Sequence, residues 1–481
     1  MLKKFLSGLG LLLALNLLIK PIWIFGIDRT VQNITGTDYG FYYSIFNFSI
    51  LFSIFLDLGI TGFNNRQVSQ NNDLLKEHFA GMLIVKLMLS VLYALILIVV
   101  GFLIGYNHRQ MHMLFFLGII QFLASLILFL RSNISALLLF KTESLFSVLD
   151  KLLMIFICSV LIWGHVLKGS FFIERFVYAQ LLAYCITAIL AFFVVFYHSP
   201  GIKFKIEPGF SKEVIKKGMP YAVIMLLMLF YSRIDSVMLE RLLSDGVKQV
   251  AIYANAFRLL EAFNVLPYLF SILLLPLYAK LLSEQVDVSS LVRVSLALLF
   301  PFAIMVAMVS LFYSKELMGL LYVNHIEQSA QVFRVLMFSF VSISIMFIFG
   351  SLLTANGSMR ILNRILILAL VINVILNLAL IPPFKALGAT WAGVITQAFV
   401  AISEMVVAIK IIPVKMGNRF IHSLILFGLF IACFAFMVRY LPVNWMAQIL
   451  MIGFVGMLLA LLLRLFDFKT IRSLYTEEGV N

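Results

Sequence analysis

The sequence predicts an all-α integral membrane protein: about 14 transmembrane helices in two seven-helix lobes around a central cavity. Three observations predict it. Apolar runs of about 20 residues or more, the length a helix needs to cross about 30 Å of hydrocarbon, recur from one end of the chain to the other. The composition is 63% hydrophobic and 12% charged over 481 residues, with a mean hydropathy of +1.07. That leaves too little polar surface to clothe a water-soluble core of this size. In lipid, backbone amides must be satisfied within the segment, so the spans are helices, and the alternation of barrel strands is absent.

The spans fall at residues 6–26, 41–63, 79–104, 113–139, 145–167, 173–197, 215–239, 249–275, 292–312, 331–355, 360–382, 387–409, 419–440 and 446–466. Met1-Leu2-Lys3-Lys4 opens like a signal peptide. The apolar run continues to Phe25 with no small-x-small cleavage site, so it reads as a retained first helix. An even number of spans puts both termini on one side. Loops on that side hold twenty basic residues against nine opposite, so both termini are expected in the cytoplasm. The formal charge of +14 then describes loops facing anionic lipids, and no loop is long enough to dock nucleic acid. The longest outward loop is read as Tyr313 to Ala330.

The largest polar stretch, Tyr197 to Lys217, carries five lysines with Pro200 and Pro208. It marks a hinge. Drawn there, the domain boundary is 213/214, with helices 1–6 before it and 7–14 after. An echo of Gly8, Tyr42 and Phe46 in Gly218, Tyr253 and Phe257 favours two repeats of seven, so the split stays open. Cys158, Cys185 and Cys433 all lie inside spans, where they read as packing residues. No catalytic or metal-binding motif is present. Gly164 to Gly169 before Ser170 lacks a phosphate-loop lysine, and there is no His-Glu-x-x-His or Gly-x-Ser-x-Gly. Asn33-Ile34-Thr35 fits a glycan acceptor, relevant only in a secretory pathway.

Ionisable residues inside spans cost about 2.5–3.5 kcal/mol each at a helix centre, so each needs a reason. The cations are Lys20, Lys86, Arg131, Lys151, Arg233 and Arg258; the anions are Asp57, Asp150, Asp235, Glu261 and Glu404. A water-filled cavity lined by them avoids that cost. Lys20 precedes Pro21, which bends the first helix and offers the cation as a substrate contact. Asp150 and Lys151 are read as opening a span and snorkelling, Lys86 as able to snorkel, and Glu404 as near a cytoplasmic end. Arg131 and Asp57 are at similar depth and are expected to pair across helices, unless Asp57 is a proton or cation site. Arg258 and Glu261, three apart, share a face; Arg233 and Asp235, two apart, do not. A structural ion-pair network on helices seven and eight is the rival account of those four. Guanidinium groups hold phosphate bidentately, so a cationic cavity favours a diphosphate. Tyr39, Tyr42, Tyr43, Phe46 and Phe48 either stack sugar faces or pack the core.

Several segments resemble a known family. Tyr39-Gly40 through Leu56-Asp57-Leu58-Gly59-Ile60 to Asn65-Arg66 is similar to the second helix of bacterial O-antigen and capsular-polysaccharide flippases. Arg233-Ile234-Asp235 with Tyr253-x-x-Ala256-Phe257-Arg258 resembles their helices seven and eight. Asn373-Val374-Ile375-Leu376-Asn377-Leu378-Ala379-Leu380-Ile381-Pro382, with Gly388-Ala389, resembles their eleventh helix and the turn after it. The resemblance covers most of the chain and rests on order and spacing. It implies the polysaccharide transporter branch of the multidrug, oligosaccharidyl-lipid and polysaccharide exporter superfamily. It further implies movement of an undecaprenyl-diphosphate-linked glycan across the bacterial inner membrane by alternating access. Arg66, Arg233, Asp235 and Arg258 match by motif position. Pro382-Pro383-Phe384-Lys385 departs from the family, which usually turns on glycine there.

The resulting expectation is a transporter with no resident cofactor, coupled to a Na+ or H+ gradient. Lys20, Arg66, Arg131, Arg233 and Arg258 are the substrate-binding candidates, and Asp57, Asp235 and Glu261 the ion-coupling candidates. Its partners would be the lipid-linked glycan, anionic lipids, and a glycan polymerase with assembly proteins. The rivals are a cation-coupled drug exporter of the same fold, for which acids should dominate the cavity, and a multispan glycan polymerase, for which a large outward loop is expected.

Overall fold

The computed structural model describes residues 2–61, 73–137, 139–164, 171–198 and 208–465, and helix is the only regular structure among them. Each of the fourteen predicted spans overlaps a helix among the described residues. Ten helices are long and apolar enough to cross a membrane among the described residues. By compactness the chain divides into two units, Met1–Ala251 and Ile252–Asn481. This division falls later than 213/214, which rests on the polar loop alone; residues 199–207 of that loop lie outside the described residues.

In the first unit α1 (Leu2–Pro21) does not simply bend at Pro21. It widens into a π-helical turn, Ile22–Asp28, before α2 (Arg29–Thr35). Proline lacks the N–H that would close the regular ladder, and a wider turn is one way to continue the helix. The Thr30 hydroxyl donates to the Gly26 carbonyl at 2.5 Å, satisfying one group on that turn. α3 (Thr37–Leu51) ends in a 3₁₀ turn, Ser53–Leu56. There the second span breaks: Leu58 (φ +43) and Gly59 (φ +83) leave the right-handed region.

α4 (Asp73–Leu103), α5 (His108–Ala136), α6 (Phe140–Trp163), α7 (Ile173–His198) and α8 (Pro208–Leu242) follow, and α9 (Gly246–Ser283) starts in this unit. α5 begins with a capping box: Asn107 Oδ1 accepts from the Gln110 N–H, and Gln110 Oε1 from the Asn107 N–H, both at 2.9 Å. α1 packs on α6, α5 on α7, and α3 on α8. Gly40 permits a close approach, because a Cβ there would run into the Val247 carbonyl and Ala251. Ile54, Phe79, Met82, Phe129, Leu130 and Phe146 form a buried core. Outward faces such as Leu95, Val99 and Phe102 of α4 are exposed and apolar, as lipid requires.

The second unit contains the rest of α9, then α10 (Ser289–Leu321), α11 (Ile326–Leu336), α12 (Phe338–Ala355), α13 (Met359–Ile411), α14 (Asn418–Val438) and α15 (Trp445–Leu462). The outward loop expected at Tyr313 to Ala330 is mostly helix. α10 continues through a kink at Tyr313 to Leu321, and α11 resumes at Ile326. Hydropathy missed this because the stretch holds Lys315, Glu316 and Glu327. α13 is two arms joined at Lys385, whose φ of 54° and ψ of −133° interrupt the helix just after Pro382-Pro383. The lysine thus holds a backbone region that ordinarily belongs to glycine. α12 packs on α13, and α10 on α14.

Candidate functional site

The first unit gathers a cation-rich cluster from α1, α5 and α6. Lys20, half-buried one residue before Pro21, is within electrostatic reach of Lys151, Asp150 and Arg131. Lys151 Nζ is 3.1 Å from Asp150 Oδ2 and donates to the Tyr184 hydroxyl at 3.0 Å. It also lies over the rings of Trp23 and Tyr184, 5.5 and 5.2 Å from their centroids. Arg131 Nη2 meets Glu143 Oε1 at 2.5 Å. Its buried Nε has no hydrogen-bond partner among the described residues. Three cations therefore stand beside two acids, with one guanidinium N–H still to be satisfied.

Two expectations are corrected here. Arg131 does not pair with Asp57; it pairs with Glu143, which lies on the neighbouring helix twelve residues on. Asp150 and Lys151 do not open a span and snorkel. α6 starts at Phe140, so Lys151 lies near the middle of a helix that ends at Trp163, too deep to reach either end.

Lys86 is likewise no snorkelling lysine. Its side chain is 2% exposed and its Nζ donates to Asp57 Oδ1 at 2.7 Å, Ser125 Oγ at 2.8 Å and the Leu56 carbonyl at 3.2 Å. Three acceptors use all three ammonium protons. Asp57 also accepts from the Thr61 hydroxyl and, at 3.3 Å, from the Thr61 N–H. The pair thus fastens α4 to the break after α3.

Arg233 of α8 donates to Asn47 Oδ1 of α3 at 3.3 Å, and Asp235 is buried at 3% exposure. In the second unit Arg258 and Glu261 pair at 2.8 Å along one face of α9, as their spacing predicts. Glu404 lies two turns before the end of α13 yet is buried, and its Oε2 has no partner among the described residues. Arg66 lies outside the described residues. Tyr39, Tyr42, Tyr43 and Phe48 are buried at 2% exposure or less. They pack the core, so the sugar-stacking reading of them is withdrawn.

One buried carboxylate was missed altogether. Asp28, fully buried on the π-helical turn, accepts from the Tyr39 hydroxyl and from Gln32 Nε2, each at 2.8 Å. The signal was available in the spacing, because an Asp and a Gln four apart meet on one helix face. It was overlooked because the first span appeared to end before Asp28.

The sequence model of a polysaccharide biosynthesis protein family matches residues 6–282, more than half of the chain. The chain belongs to that family. The MatE family model matches residues 220–379 as well. Among solved structures, the lipid II flippase MurJ in an inward closed conformation has a TM-score of 0.73 at 12% identity, over 98% of this chain and 99% of that one. A multidrug resistance MATE transporter of the MOP superfamily, inward-facing, has 0.63 at 14%, over 84% and 97%. A MOP superfamily transporter from Pyrococcus furiosus, described as having a binding pocket of reverse polarity, has 0.55 at 16%, over 85% and 94%. No curated protein sequence matches. At these identities the solved structures establish the fold, that of MOP superfamily transporters. With the family, they make this member a multi-pass membrane transporter and not an enzyme.

Proposed function

We propose that the protein is a flippase for an undecaprenyl-diphosphate-linked oligosaccharide, an O-antigen or capsule repeat unit. It carries the head group from the cytoplasmic to the periplasmic leaflet of a bacterial inner membrane by alternating access. The observation that carries this reading is the excess of positive charge at Lys20, Lys151 and Arg131, with the buried Arg131 Nε still open to an acceptor. In a low-dielectric setting such a group favours a diphosphate strongly. Arg233 and Arg258 are proposed as further contacts, and the polysaccharide family supports a glycan as cargo. Both termini are placed in the cytoplasm on the strength of the basic loops.

Coupling to a Na+ or H+ gradient is proposed at a buried carboxylate. Asp57, Asp235 and Glu261 are the candidates, and Asp28, buried in the first unit, joins them. The test is glycan display in cells whose only copy carries Arg233→Ala, Arg258→Ala or Lys20→Met. Display should be lost while the protein remains inserted at normal abundance. Normal display in all three would refute the reading. The MatE match keeps a drug exporter as a second reading. Efflux of cationic dyes, absent under the first reading, distinguishes the two.

A further inference from the structure

A cavity of about 310 Å³ opens at one end of the second unit, where the start of α10, the start of α14 and the residues just past α15 meet. Each of these contributes one arginine to the lining, Arg293, Arg419 and Arg464 respectively, and no lining residue among the described ones is acidic. None of the three has an ion pair among the described residues. Three guanidinium groups gathered around an open space with no described acid in its lining repel one another, and a bound anion removes that cost.

The backbone has the same polarity. α10 and α14, 33 and 21 residues long, both begin here, so the positive ends of two helix dipoles add to the arginines. Gly417 (φ +71) caps α14 and Arg464 (φ +51) follows α15, both in the left-handed region. The loop before α14 is tied to α10 by the Lys415 N–H donating to Ser289 Oγ at 2.7 Å. The neighbouring acid, Asp287, accepts from the Ser289 N–H at 2.9 Å. Hydrogen bonds from Ser289, with Lys415 and Arg293 nearby, hold its carboxyl below the usual range, so it stays ionised. Among the described residues it is one negative charge against four positive ones, Arg293, Lys415, Arg419 and Arg464.

The surroundings indicate what kind of anion fits. The helices lining the cavity also carry exposed apolar side chains, Leu298 on α10, Ile421 and Ile425 on α14, and Leu458 and Leu462 on α15. In a membrane these face acyl chains. All three arginines belong to the basic side of the chain, where anionic headgroups attract them. We propose that this cavity seats the phosphate of an anionic phospholipid from that leaflet, with its acyl chains along α14 and α15. This lipid is distinct from the transported glycan carrier and is not itself moved.

The test uses the full-length protein in neutral detergent, with native mass spectrometry counting retained phosphatidylglycerol against phosphatidylcholine. The wild type should retain one phosphatidylglycerol selectively. The variant with Arg293→Ala, Arg419→Ala and Arg464→Ala together should bind it on the order of 100-fold more weakly, as expected from three surface cations. Arg360→Ala with Arg364→Ala removes exposed charge from the same basic side but outside the cavity, and should leave retention unchanged. Equal loss in both variants would mean diffuse charge attraction, and unchanged retention in the triple variant would mean no site; either overturns the proposal. Displacement of the lipid by millimolar inorganic phosphate would overturn the lipid as occupant. Should the triple variant melt early in phosphatidylcholine, Arg419→Ala alone, at an exposed position, should still show a several-fold loss.

Discussion

Two lysines within helices of the same unit have opposite surroundings. Lys86 is closed: Asp57, Ser125 and the Leu56 carbonyl take its three protons. Lys20 is open: it stands near Lys151 and Arg131, with Asp150 and Glu143 too few to balance the three. Counting charges within spans ranks the two alike. Counting partners separates a fastening from a receptor, because a buried cation whose hydrogen bonds are all used has nothing left for a ligand.

The largest effect should come from Lys86. Lys86→Met strands the Asp57 charge and removes the donor to Ser125, while the Leu56 carbonyl keeps the Ser125 hydroxyl at 3.3 Å, a loss of about 3–5 kcal/mol. Melting in detergent should fall sharply, and adding Asp57→Asn should recover part of the loss. If the single variant melts normally but stops transporting, Lys86 belongs with the receptors and the comparison fails.

Lys20→Met should do the reverse. One charge-assisted contact contributes about 1.5–3 kcal/mol, so binding of a prenyl diphosphate should weaken about 10- to 100-fold. Melting should hardly move, since Lys20 has no ion pair among the described residues. Tight binding retained in this variant would remove Lys20 from the receptor side.

A smaller effect tests the second unit. At Gly350 an added Cβ would lie 2.9 Å from Glu404 Oε2, forcing the carboxyl aside. Gly350→Ala should cost about 1–3 kcal/mol, and Gly350→Ala with Glu404→Ala should be milder than the glycine change alone. The smallest effect is at the exposed pair Lys315–Glu327, 2.7 Å apart. Lys315→Ala should leave the melting curve unchanged, since exposed pairs contribute little.

The helices were legible because hydrocarbon imposes a length and a polarity that few soluble sequences meet. The Arg258–Glu261 pair was legible for the same local reason, a spacing of three on one helix. What escaped was set by breaks and by long-range packing. The partner of Lys86 depends on the interruption at Leu58-Gly59, where hydropathy continues unbroken. The partner of Arg131 is Glu143 because α6 starts earlier than its apolar run suggests. Asp28 was hidden by a helix that continues past the point where its hydrophobic run ends. In each case the residue was visible and its neighbour was not.

The π-helical turn at Ile22–Asp28 has one more consequence. A π turn holds an additional residue per revolution, and each residue advances a regular helix by about 100°. Were the turn to tighten to the ordinary wind, the stretch from Asp28 through α2 would rotate by about that angle relative to Lys20 and α3. Asp28 would be carried out of reach of the Tyr39 hydroxyl, while the stem before Pro21 stayed in place. The first span is thus two segments joined by a π turn, and that turn sets the phase between its lysine and its aspartate.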